Sequence, residues 1–215
     1  MKHPRCALRL SILLKLVVVL VFPVVASLPV RADESKETVQ ALVDIFVHWS
    51  GSADDKVAYA KAGQQIDYRL MSERVLGQKR WDGLSNQDRN DFVTAFRAVI
   101  EKRYYPRWRR IFHNSTITYL NEQSANGDTL VGTRVKTGDS AGDITWTVSQ
   151  GSKVVSLQVG ERDLIKRASA RFEKKLAKSD FKDFLAWLKK ESQRSSSSDI
   201  GDTEDTSKGQ QVRRI

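Results

Sequence analysis

The sequence predicts an α+β fold in which helices wrap a four-stranded antiparallel meander sheet. Three observations carry that prediction. Apolar residues recur at helical spacing from Val39 to Phe112. The period then falls to two between Ile117 and Val159, with turn residues at short intervals. Helical spacing returns from Leu164 to Leu188. Helices, then strands joined by tight turns, then helices give one antiparallel sheet with helices gathered on it.

The elements follow in order. Val39, Leu42, Val43, Phe46 and Trp49 form an amphipathic stripe over residues 36–49, stopped by Ser50-Gly51-Ser52. A short helix spans 54–62 and ends at Gly63. Asp67 is placed to cap a third helix to Leu76, with Gly77 as its stop. Ser85-Asn86-Gln87-Asp88 reads as a capping box opening a long helix. Its stripe is Phe92, Phe96, Val99, Ile100 and Tyr104, and Pro106 ends or kinks it. Trp108, Ile111 and Phe112 continue on a short segment.

Four strands follow, with Ile117 and Tyr119, then Val131, Thr133 and Val135, then Ile144, Trp146 and Val148, then Val155, Leu157 and Val159 on the inward face. Asn126-Gly127-Asp128, the stretch Gly138 to Gly142, and Gln150-Gly151-Ser152 supply the turns. Two helices close the domain. One carries Leu164, Ala168, Phe172 and Leu176; the other is capped at Ser179 and carries Phe181, Phe184, Leu185 and Leu188. Residues 191–215 hold Ser195 to Ser198, many charges and no aromatic residue, the composition of a disordered polar tail.

The N-terminus reads as an export signal. Lys2, Arg5 and Arg9 precede an apolar stretch from Leu16 to Ala26, too short to span a bilayer comfortably. Cleavage after Ala26 or after Ala32 is compatible with the small residues there; Ala32 is preferred, because Asp33-Glu34 then opens a polar mature chain of one domain, 33–190. Cys6, in the basic segment, is the one cysteine, so the mature chain has no disulfide and no thiol chemistry. The signal carries five cations and no acid, so its removal lowers the formal charge from +10 to +5. A mildly basic exported protein suits an anionic membrane surface and does not call for nucleic acid.

No catalytic pattern is present. His48 and His113 lie far apart and outside any motif. The inward strand positions are apolar or threonine, with no acid among them, so no catalytic residue, metal ligand or cofactor is assigned and the chain is read as a binding protein, not an enzyme. The run Lys102-Arg103-Tyr104-Tyr105-Pro106-Arg107-Trp108-Arg109-Arg110 holds five cations and three aromatics, a composition that suits a lipid headgroup or an anionic bilayer as well as a solvated helix end.

Residues 66–108 carry a likeness to a known family. They read Ile66-Asp67-Tyr68, Met71, Val75-Leu76-Gly77, Trp81, Leu84-Ser85, Asp88-Arg89, Phe92, Phe96, Ile100, Tyr104-Tyr105 and Trp108. The segment resembles the MlaC family, periplasmic phospholipid carriers also called toluene-tolerance auxiliary proteins. Asp88-Arg89 stands at the family's usual Gln-Arg. The chain departs from the family pattern after residue 150: Asp163 stands where a Ser is usual, and Ala168 where a Tyr is usual. Asp163 is then available as a new helix cap.

The resemblance implies a cup akin to the NTF2-like fold, with an apolar cavity between sheet and helices. Its helical lining would be Leu76, Phe92, Phe96, Ile100, Tyr104, Trp108 and Phe112, and its strand lining Val135, Trp146 and Leu157. Arg107, Arg109 and Arg110 would meet a headgroup or membrane at its mouth. The implied activity is carriage of a phospholipid or another apolar lipid, as a monomer, in the upkeep of outer-membrane lipid asymmetry. Its implied partners are an inner-membrane Mce-domain ABC transporter complex and an outer-membrane lipoprotein complex. An NTF2-like small-molecule enzyme or binding protein is the alternative, and a membrane-surface protein with a filled core is a third class.

Overall fold

Local capping chemistry sets the start of four helices in the computed structural model, which describes residues 32–51, 55–150 and 152–193. Residues 1–31, where the sequence suggests an export signal, and the tail beyond Gln193 lie outside these residues. Helix α1 spans Ala32–His48 and α2 spans Asp55–Gln64. Helix α3, Tyr68–Leu76, begins where Asp67 Oδ1 accepts the Leu70 N–H at 2.9 Å. It stops at Gly77, whose φ of 76° a side chain would strain. The expected break after Gly77 is instead a short helix α4, Gln78–Asp82. Arg89 holds its end, donating to the carbonyls of Trp81 and Asp82 at 2.9 Å each. The Asp88-Arg89 pair therefore has a visible structural duty: Asp88 joins the Ser85 cap, and Arg89 closes α4.

Helix α5 spans Asn86–Val99, capped by Ser85 Oγ, which accepts the Asp88 N–H at 3.1 Å. A π-helical turn follows at Ile100–Tyr104, and α6, Tyr105–Phe112, continues the chain. Pro106 thus kinks the helix instead of ending it. Proline removes a donor and crowds the carbonyl four residues back, and a widened turn relieves that conflict. The inserted residue rotates everything after it. Tyr105, not Tyr104, becomes fully buried, while Tyr104 is half-buried.

The sheet has five strands in the order β1-β2-β3-β4-β5, all antiparallel, one more than the sequence suggested. They are β1 Thr116–Ala125, β2 Asp128–Thr137, β3 Ser140–Val148, β4 Val154–Val159 and β5 Arg162–Asp163. The fifth is two residues long, below the length at which alternation is legible. Asn126 and Gly127, both at positive φ, make the β1–β2 hairpin turn. The β2–β3 turn is only Gly138-Asp139, so Gly142 belongs to β3.

The predicted inner face is buried at Val131, Thr133, Val135, Ile144, Trp146, Val148, Val155 and Leu157. Val159 is 45% exposed at the end of β4, and Ile117 and Tyr119 on β1 are only half-buried. Trp146 Nε1 donates to Thr133 Oγ1 at 3.0 Å, which satisfies the one polar atom of a wholly buried indole. A β-bulge between Tyr119 and Glu122 changes one assignment. It sets Glu122 opposite Val131 and so brings a carboxylate to the inner face, where the sequence reading placed no acid. Gly132 sits beside the bulge, where an added Cβ would come within 3.1 Å of Leu120.

Helix α7, Leu164–Leu176, is capped by Asp163, whose Oδ1 accepts the Lys166 N–H at 2.8 Å, as its position suggested. Helix α8, Phe181–Gln193, is capped by Asp180 instead of Ser179: Asp180 Oδ1 accepts the Asp183 N–H at 2.8 Å, and Ser179 donates to the Lys175 carbonyl. It also runs past residue 190, burying Glu191 and Ser192. Helices α1 and α6 cover the inner face of β1–β3, α3 and α7 flank β4, and α5 pairs with α8.

Candidate functional site

The apolar interior holds two aromatic clusters. The first lies between α1, α6 and the sheet. Phe46 meets Tyr105 at 5.1 Å, Trp108 at 5.5 Å and Phe112 at 6.3 Å between ring centres. Trp146 closes it from β3, 6.4 Å from Trp108 and 5.9 Å from Phe112. The second lies between α5, α7 and α8. Phe92 stacks on Phe96 at 5.8 Å and on Phe184 at 6.0 Å, and Phe172 meets Phe96 edge-on at 5.7 Å.

The expected cavity lining is therefore divided. Trp108, Phe112 and Trp146 share the first cluster, with Tyr104 at its rim, 6.4 Å from Trp108. Phe92 and Phe96 pack against α7 and α8, away from the sheet, because α5 turns its stripe toward α8. Leu76 from α3, Ile100 from the π turn, Leu157 from β4 and Val135 from β2 are buried as well. All of these belong to one continuous apolar core.

A polar cluster crosses this interior. The hydroxyls of Tyr68 and Tyr105 hydrogen-bond to each other, and both rings are almost wholly buried. The Arg97 guanidinium lies 5.1 Å from the Tyr68 ring centre and pairs with Glu101 at 2.6 Å. Burial pushes both phenols far above their ordinary range. Tyr119, half-buried on β1, is pushed up to about 12, first by burial and then by the charge of Asp44. Periodicity had no means of finding Tyr68, Tyr105 and Arg97 as a unit, since they lie on three elements that only the fold brings together.

The basic run is more committed than its composition suggests. Arg109 donates to the carbonyls of Trp49 and Ser50 at 2.9 Å each and lies 5.7 Å over the Trp49 ring. Arg103 pairs with Glu191 at 2.8 Å, and Arg107 lies 5.9 Å from the Tyr104 ring. Arg110 is exposed. His48 and His113 each meet a backbone carbonyl of α1: His48 Nδ1 is 2.9 Å from the Asp44 oxygen, and His113 Nδ1 is 3.1 Å from that of Val47. Among the described residues no cluster of His, Cys, Asp or Glu could hold a metal ion, and no helix is long and apolar enough to cross a membrane. An open depression of about 500 Å³, lined by Leu76, Gly77, Gln78, Lys79 and Arg80, marks the surface where α3 meets α4.

The comparisons with known proteins bear on this arrangement. No curated protein matches the sequence. A solved structure of a phospholipid-binding protein from Ralstonia solanacearum, in complex with a phospholipid, superposes with a TM-score of 0.64 at 12% identity. The match covers 75% of this chain and 96% of that one, which establishes a common fold. The pattern of the MlaC protein family matches residues 51–190, the span that holds α3, the π turn, the whole sheet and most of both closing helices. By that match the chain belongs to the MlaC family.

Proposed function

We propose that this protein is a periplasmic carrier that takes up the acyl chains of a phospholipid, or of another apolar lipid, between its sheet and its helices. It passes them as a monomer between an inner-membrane Mce-domain ABC transporter complex and an outer-membrane lipoprotein complex. The observation that carries this reading is the fold it shares, over nearly the full length of the other chain, with a protein in complex with a phospholipid. Family membership and the continuous apolar interior support it.

Leu76, Ile100 and Leu157 are the proposed lining of the chain path, with the sheet as one wall of a cup. Each buried methylene contributes about 0.8 kcal/mol, so an acyl chain competes well with the side-chain contacts it displaces. No covalent step is needed, and release follows when a partner prises α3 from β4. Arg110 and Arg107 would face the headgroup at the rim, with Arg109 holding α1 beneath them.

A second reading has one observation in its favour: the two clusters are closely packed, with ring centres about as near as in a solid core. Native mass spectrometry of the purified mature protein separates the two. A bound lipid mass that survives gentle ionisation supports the carrier. A bare protein mass after exposure to phospholipid vesicles supports a membrane-surface protein with a filled core.

A further inference from the structure

Helix α7 presents a cationic stripe that neither the core nor the proposed lipid path uses. Arg167, Arg171 and Lys174 recur at i, i+4 and i+7 and so share one face; Lys178 follows in the turn just past the helix end, and all four are exposed. The opposite face seats Phe172, Ile165, Ala168 and Leu176 in the core. Arg171 pairs with Glu191 at 2.9 Å; Arg167, Lys174 and Lys178 take no ion pair among the described residues. Like charges three and four apart on a helix repel, so the stripe weakens the helix that bears it unless an anion faces it.

The same chain carries a matching anion. Beyond α8, Asp199, Asp202, Glu204 and Asp205 place four acids in seven residues, with no cation from Ser195 to Ser207. The end of α8 is already beside the stripe, because Glu191 contacts Arg171. Asp199 is six residues past Gln193, the last residue of α8, a reach of about 20 Å for an extended chain, comparable to the about 20 Å length of α7. The tether therefore lets the acids meet any cation of the stripe at high effective concentration.

We infer that the acidic segment Asp199–Asp205 docks on the Arg167–Arg171–Lys174 face of α7 and on Lys178 just past its end. Docking neutralises the stripe and withholds it from anionic surfaces such as a bilayer. The inference is independent of lipid carriage, since it uses none of the interior.

The test compares the full chain with its D199N/D202N/E204Q/D205N variant, which leaves every described residue intact. Amide chemical shifts of residues 164–178 should change between the two and change little elsewhere. Salt at about 0.5 M, where the Debye length falls to about 4 Å, should bring the unaltered protein to the variant's α7 spectrum. At low salt the variant should bind phosphatidylglycerol vesicles about fivefold more tightly, the effect of about one unmasked cation. Identical α7 shifts in the two proteins overturn the inference, as do changes centred on another face. If α7 responds only to added vesicles, and equally in both proteins, the occupant of the stripe is the bilayer and the inference is also overturned.

Discussion

The hydroxyls of Tyr68 and Tyr105 hydrogen-bond across the interior and tie the start of α3 to the start of α6. The bond exists because the π turn advances Tyr105 into the position that an unbroken helix would have given to Tyr104. Tyr105→Phe should therefore leave the buried Tyr68 hydroxyl without its partner and cost about 1–3 kcal/mol. Tyr68→Phe should cost a similar amount. The double variant should cost less than the sum of the two, because the second substitution removes the orphaned group. Urea denaturation of the four proteins gives the coupling directly. Additive costs would show that the hydroxyls act separately.

The same burial predicts alkaline destabilisation. In the unfolded chain these tyrosines lose their protons near the ordinary value of 10.0, while the folded chain holds Tyr119 protonated to about 12 and Tyr68 and Tyr105 still higher. Above pH 10 the folded state thus binds more protons than the unfolded state, so stability falls as pH rises. It is fully present below 10. Each of the two deeply buried tyrosines contributes up to about 1.4 kcal/mol per pH unit to that fall. Denaturation midpoints measured from about pH 8 to about pH 11 should decline beyond 10, and Tyr68→Phe/Tyr105→Phe should flatten the decline.

Arg109 and Arg110 are neighbours with opposite expected behaviour. Arg109 closes the end of α1 through two carbonyls and covers the Trp49 ring, so Arg109→Gln should destabilise by about 1–2 kcal/mol. Arg110 is exposed, and Arg110→Gln should stay within about 0.5 kcal/mol. Under the carrier reading Arg110→Gln should nonetheless slow transfer of lipid to anionic vesicles at low salt, and the effect should fade as salt rises. Equal melting temperatures for the two variants would remove the structural assignment of Arg109. Salt-indifferent transfer would remove the headgroup role of Arg110.

Much of this was legible in the sequence because it rests on local rules. Asp67, Ser85 and Asp163 cap their helices as their spacing suggests, and strands β2 and β3 bury the alternating residues that their pattern picks out. What was not legible depends on a one-residue slip. The π turn moves burial from Tyr104 to Tyr105, and the β1 bulge turns Glu122 inward; neither insertion leaves a periodic trace. The direction in which an amphipathic helix faces is equally silent. The stripe of Phe92 and Phe96 is plain in the sequence, but its partner could be the sheet or another helix, and α8 supplies the ring surface that decides it. Arg109 misled for a related reason: a cation in a basic run looks solvated until the carbonyls of Trp49 and Ser50 are folded against it.

That division of the aromatic set gives a direct test of the lipid path. Phe96 is packed among Phe92, Phe172 and the rest of the α5–α7–α8 cluster, whereas Ile100 is wholly buried on the π turn and belongs, with Leu76 and Leu157, to the proposed acyl path. Phe96→Trp adds volume to a filled cluster and should cost about 1–3 kcal/mol of stability with bound lipid unchanged. Ile100→Trp adds volume to the proposed acyl path. It should lower the amount of phospholipid extracted from the purified protein by more than its loss of stability accounts for. A Ile100→Val variant, smaller and within about 0.5–1.5 kcal/mol of the parent, should keep its lipid and so separates blocking from unfolding. Thermal melts beside lipid extraction read both quantities on the same samples. If Ile100→Trp loses stability as Phe96→Trp does while its lipid content holds, the surroundings of Ile100 are ordinary core and the acyl chains, if bound, lie elsewhere.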